Sequence, residues 1–145
     1  MTPDRVFSAA NSIALIAWLV MLLLRRKQWM MDTVIGVAVP ALFAAIYIAI
    51  IAWAWGGSSG GFSSLSGVAA LFRNDWLLLA GWIHYLAFDL LIGRWELVDA
   101  GERGIPLVVV VPCLVLTFLF GPAGWLLYTI VRFSAASRGA RVRAV

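Results

Sequence analysis

His84, the only histidine of the chain, lies in an apolar run of helical length together with Tyr85 and Asp89. Imidazole, phenol and carboxylate are the group types that pass protons as general acids and bases. An ionisable side chain within a membrane span costs roughly 2.5 kcal/mol or more, so each of these must face the protein interior and find a partner there. His84, Asp89 and Tyr85 are therefore the candidate catalytic residues, and Trp82, Phe88, Arg94, Trp95, Asp75 and Trp76 are the candidate ligand contacts around them.

Helical spacing limits how these groups can cooperate. Residues three, four and seven apart share a helix face, which puts Trp82, Tyr85, Asp89, Gly93 and Glu96 on one stripe and Gly81, His84, Phe88, Leu91 and Trp95 on another. His84 and Asp89 lie about 140° apart around the helix and do not form a dyad within it. Tyr85 can donate its hydroxyl to Asp89, whereas Arg94 reaches that carboxylate only by bending back near the helix end. The first stripe presents two aromatic planes and one acid, a lining that suits an elongated polyene with polar end groups.

Other readings of the same residues stand beside this one. Asp89 serves equally well as a buried carboxylate that bonds another helix or caps a broken one. His84 serves as a packing histidine bonded to a backbone carbonyl, as an acid or base, or as a single axial ligand of haem or chlorophyll. That alternative aside, no cofactor and no metal set is expected: Cys113 is the lone cysteine, which excludes an intrachain disulfide and a cysteine-based metal centre. Phosphate-loop, zinc-protease and serine-elbow motifs are missing.

The elements that must hold these residues follow from composition. Hydrophobic residues make up 63% of 145 and charged residues 12%, with a mean hydropathy of +0.97; these values describe an all-α integral membrane protein forming one domain. A span needs about 20 apolar residues, and four runs qualify: residues 6–24, 33–55, 75–95 and 105–133. The first lacks a following Ala-x-Ala-like cleavage site and is read as retained. Pro40 is expected to kink the second, and Tyr47, Trp53 and Trp55 read as its aromatic belt. A Gly/Ser-rich loop, residues 56–72, follows as a connector or a lid, and Asn74 or Asp75 caps the third run. Pro112 and the Gly121-Pro122-Ala-Gly124 segment interrupt the fourth, which is expected to kink or break at Gly121-Pro122. Residues 134–145 form a basic tail.

The net charge of +4 comes from basic residues at the ends of apolar runs rather than in one field. They read as membrane-surface anchors and exclude a nucleic-acid partner. With four spans, the basic residues divide almost evenly between the two faces and leave the orientation open.

Several ordered blocks resemble a known family: Phe72-Arg-Asn-Asp75-Trp, Gly81-Trp-Ile-His84-Tyr-Leu-Ala-Phe-Asp89-Leu, Gly93-Arg94-Trp95, Gly104-Ile-Pro106, Pro112-Cys113-Leu and Thr117-Phe-Leu-Phe-Gly-Pro122-Ala-Gly124. Together they are similar to the four-span membrane proteins of the abscisic-acid-deficient-four-like, or neoxanthin-formation, family, densely over residues 71–132. Plant members of that family act in chloroplasts and are required to form neoxanthin from violaxanthin. The resemblance implies an intramolecular isomerase: an epoxide opens while a proton leaves the polyene, giving an allene and a hydroxyl with no redox cofactor. The chain shows no plastid transit segment, so it resembles a prokaryotic relative, expected in a bacterial inner membrane with a carotenoid-like isoprenoid as ligand. Surrounding membrane lipid, a second copy of the chain and a pigment-enzyme complex are the other expected partners. The competing functions are a non-catalytic pigment-binding or assembly subunit and a small transporter or structural membrane protein.

Overall fold

The structure is a computed structural model that describes residues 2–143, with side chains described through residue 135. All regular elements among these residues are helical: α1 (Pro3–Leu23), a π-helical segment (Met30–Ala38) leading into α2 (Val39–Ala54), a 3₁₀ turn (Trp55–Gly57), α3 (Leu65–Leu71), α4 (Asp75–Glu102), α5 (Leu107–Phe120) and α6 (Pro122–Arg143). Among the described residues three helices are long and apolar enough to cross a membrane: Pro3–Leu23, Met30–Gly57 and Asp75–Glu102. α5, with 14 residues, is a shorter apolar helix. The chain divides into two compact units, residues 1–88 and 89–145, and the boundary falls inside α4 between Phe88 and Asp89.

In the first unit, small residues let helices approach closely, as they do where association depends on packing rather than on exclusion of water. Ala10 and Ala14 of α1 join Phe43, Ile50 and Ala54 of α2 and Leu77, Ala80, Ile83 and Ala87 of α4 in one buried cluster. Pro40 falls at the start of α2. It sits just past a π-helical stretch whose last bond runs from the Val39 N–H to the Val34 carbonyl. The proline, which lacks an N–H, thus falls where the ladder passes from i−5 to i−4 bonding. The Gly/Ser loop is partly ordered: Ser64 accepts from the Gly67 N–H at 3.1 Å and starts α3. Asn74 rather than Asp75 caps α4, its Oδ1 accepting from the Trp76 and Leu77 amides.

In the second unit, α4 continues past residue 95 to Glu102, longer than the run read from the sequence. It ends at Gly104, whose positive φ of 65° lets the Ile105 N–H reach back to the Ala100 carbonyl at 2.9 Å. α5 then runs through Pro112 to Phe120. Gly121, with φ 44°, ends it and α6 starts at Pro122. The chain reverses here. In one continuous helix Thr117 and Tyr128 would be about 16 Å apart along the axis. Their partners Glu96 and Asp99 are a single turn apart on α4. A β-carbon on Gly124 would also overlap the backbone and hydroxyl of Thr117, seven residues earlier. Residues 105–133 are therefore two helices packed against each other, not one bent span. Glycine permits both the left-handed turn and the close contact. α6 is helical to Arg143, while the side chains of the expected basic tail beyond residue 135 lie outside the described residues.

Candidate functional site

Two sets of polar residues stand out, one in each unit. In the first, His84 lines a cavity of about 210 Å³ with Tyr47, Ile51, Trp55, Phe62, Leu71, Phe72, Leu77 and Gly81. α2 supplies Tyr47 and Ile51, the 3₁₀ turn Trp55, the Gly/Ser loop Phe62, α3 Leu71 with Phe72 just after it, and α4 Leu77, Gly81 and His84. The imidazole is bracketed by two rings, Tyr47 at 5.9 Å and Phe88 at 4.6 Å between centroids. Phe62 packs against Trp55 at 5.3 Å, so a loop side chain forms part of the wall. Hydrocarbon and aromatic surface with three side chains able to hydrogen-bond, a phenol, an imidazole and the Trp55 indole, is the composition of a pocket for an apolar ligand with a polar end.

A second hollow in the same unit is apolar throughout apart from two indole N–H groups. Val6, Ala9, Ala10 and Ile13 of α1 face Ile46, Ala49, Ile50 and Trp53 of α2, with Trp76 of α4 at one side, around about 450 Å³. Trp76 meets Trp53 edge to face at 5.3 Å. Nothing in this lining can transfer a proton to carbon, so the groove can hold a hydrocarbon chain but not process it.

The predicted stripe around Tyr85 is used differently. Trp82 stacks on Tyr85 at 5.2 Å and meets Phe7 in a tilted contact at 5.7 Å. Its indole N–H donates to Asn11 Oδ1 at 3.1 Å, which ties α4 to α1. Asp75 is exposed in the first turn of α4, where a negative charge complements the helix dipole.

Asp89 is buried, with 9% of its surface exposed, and belongs to the second unit. Two turns further along α4, Glu96 is completely buried and accepts from the Thr117 hydroxyl at 2.9 Å through Oε1. Its Oε2 meets no donor. Asp99 Oδ2 gathers three donors: Arg103 Nε at 2.7 Å, the Tyr128 hydroxyl at 2.7 Å and Arg132 Nε at 2.9 Å. Tyr128 is fully buried and packs edge-on to Trp95 at 5.4 Å, while the Arg132 guanidinium lies 5.6 Å from the Trp95 ring centre. The bond to Asp99 also holds the Arg103 guanidinium above the ordinary arginine range. Arg94 is half-buried on the same helix.

The structure thus brings His84 together with Phe88 and, unforeseen, with Tyr47, which the sequence presented as a belt residue. Asp89, Tyr85 and Trp82 are not among the side chains that line the His84 cavity. Thr117, Tyr128 and Arg132 were missed as well. Their polar atoms lie in or near apolar runs, and the only sequence signal was that Glu96 and Asp99 continue the polar face of α4 and need donors from somewhere.

A family model described as ABA DEFICIENT 4-like matches residues 5–128, most of the chain. No curated protein and no solved structure matches it.

Proposed function

Since the chain belongs to the ABA DEFICIENT 4-like family, we propose that it is an integral membrane protein that handles a carotenoid-like isoprenoid and isomerises an epoxide at one end of it. The observation that supports this most directly is the aromatic cavity around His84 and Tyr47. Its volume of about 210 Å³ suits a ring-sized end group, not a whole polyene. In this reading the end group enters beside His84 and the chain lies outside, along apolar surface.

The chemistry needs two proton transfers and no external oxidant. The epoxide C–O bond opens as its oxygen takes a proton, and a neighbouring polyene C–H gives one up, so atoms and charge balance and the product is an isomer. In this reading Tyr47 gives its hydroxyl proton to the epoxide oxygen, His84 takes the carbon-bound proton, and return of that proton to Tyr47 resets the site. Phe88 and Tyr47 flank the imidazole with their rings. In the membrane, α1, α2 with its π-helical lead and α4 each cross once. α5, about 21 Å long, is shorter than the ~30 Å hydrocarbon core, so α5 and α6 enter and leave at one face as a re-entrant hairpin. Such irregular backbone is tolerated at membrane depth where protein buries it.

The test uses the full chain purified in mild detergent. A polyene absorption band and a carotenoid-class extract are expected, followed by conversion of an added epoxy-carotenoid to an isomer of unchanged mass. His84→Ala and Tyr47→Phe should abolish conversion while retaining the helical circular dichroism. A bound polyene that no preparation converts leaves the second reading, a pigment-binding subunit. A Soret band assigns His84 to haem instead, and a colourless preparation that binds no added carotenoid removes the proposal.

A further inference from the structure

Arg103 and Arg132 reach the same carboxylate oxygen, Asp99 Oδ2, each through Nε. A guanidinium carries five N–H donors in a planar fork. Each arginine therefore keeps the four donors of its outer nitrogens, for which no protein acceptor is present among the described residues. One carboxylate between two guanidiniums leaves a net charge of +1, and exposed Glu102 forms no ion pair with either arginine. Two like charges are thus held side by side, with 37% and 28% of their side-chain surfaces open. They are stiffened rather than free to swing away. Tyr128 shares their acceptor, and Arg132 also lies over the Trp95 ring.

The depth of this group in a membrane follows from helix length. α4 has 28 residues and is about 42 Å long, which matches the ~40–45 Å between opposite headgroup layers. Arg103 immediately follows its last residue and Asp99 lies one turn earlier, so the pair sits where lipid phosphates lie.

We infer that Arg103 and Arg132, braced on Asp99, form a clamp for a phosphate group at the membrane surface, with an anionic phospholipid headgroup or free phosphate as its source. Planar forks recognise phosphate oxygens in pairs. The clamp is independent of any ligand beside His84.

The experiment follows thermal unfolding of the purified full chain during titration with short-chain phosphatidylglycerol, short-chain phosphatidylcholine or inorganic phosphate. Wild type should show a saturable rise in Tm with phosphatidylglycerol and little with phosphatidylcholine. In Arg103→Gln the midpoint should move about tenfold upward, and Arg103→Lys, which keeps the charge but not the fork, should also bind more weakly. Arg73→Gln, with the same loss of charge elsewhere, should behave as wild type. Saturation by inorganic phosphate that is lost in the Arg103 variants supports the clamp with a soluble source, and saturation by phosphatidylglycerol alone supports a lipid source. Equal responses of wild type, Arg103→Lys and Arg73→Gln, or no anion dependence in wild type, overturn the proposal; should Arg103→Gln fail to fold, Arg103→Lys carries the comparison.

Discussion

Gly124 and Thr117 touch although seven residues separate them, and the missing β-carbon of Gly124 is what lets α6 fold back onto α5. The contact sits beside the turn at Gly121, and Thr117 at that point also donates to buried Glu96.

Gly124→Ala should therefore destabilise the protein by about 1–3 kcal/mol, because a methyl group there overlaps backbone that cannot swing aside. Gly101→Ala is the control. A β-carbon there meets no atom within 4 Å, and alanine is the better helix former. Unfolding in detergent followed by circular dichroism distinguishes the two, and equal stabilities would refute the tight reversal.

Thr117→Val should cost about 1–3 kcal/mol, since it leaves a buried Glu96 oxygen without its donor. Combining it with Glu96→Met removes both partners and should recover most of that loss. A double variant less stable than either single variant would mean that Glu96 has a further role in holding the second unit together.

The three donors on Asp99 should rank by what each removal leaves behind. Tyr128→Phe takes away one hydrogen bond to a charged group and should cost about 1.5–3 kcal/mol. Asp99→Asn leaves two adjacent guanidiniums without their counter-charge and should cost more. Thermal midpoints in the opposite order would show that the network is not centred on Asp99.

A re-entrant α5–α6 hairpin places the two ends of the chain on opposite faces, whereas four crossings place them on one. In a Cys113→Ser background, Thr2→Cys and Ser134→Cys should react with a membrane-impermeant maleimide from opposite sides of oriented vesicles. Labelling of both from one side would restore a fourth crossing.

Much of this was legible in the sequence because it is local. The apolar runs, the polar face of α4, the lack of a direct His84–Asp89 bond within one helix and the break-prone Gly121-Pro122 all follow from composition and a 3.6-residue period. The match to the family model likewise reflects ordered residue blocks that no fold is needed to see. What only the tertiary structure decided is partnership between distant residues. Tyr47 is an ordinary belt tyrosine until α2 sets it beside His84, and Thr117, Tyr128 and Arg132 are unremarkable until α5 and α6 bring them to Glu96 and Asp99. The angle at Gly121 is of the same kind. Glycine and proline announce that a helix can stop, but the direction the chain takes next is set by which surfaces then fit, here Gly124 against Thr117. Residue types carry chemistry and local conformation; long-range geometry depends on packing between segments that the linear order keeps apart.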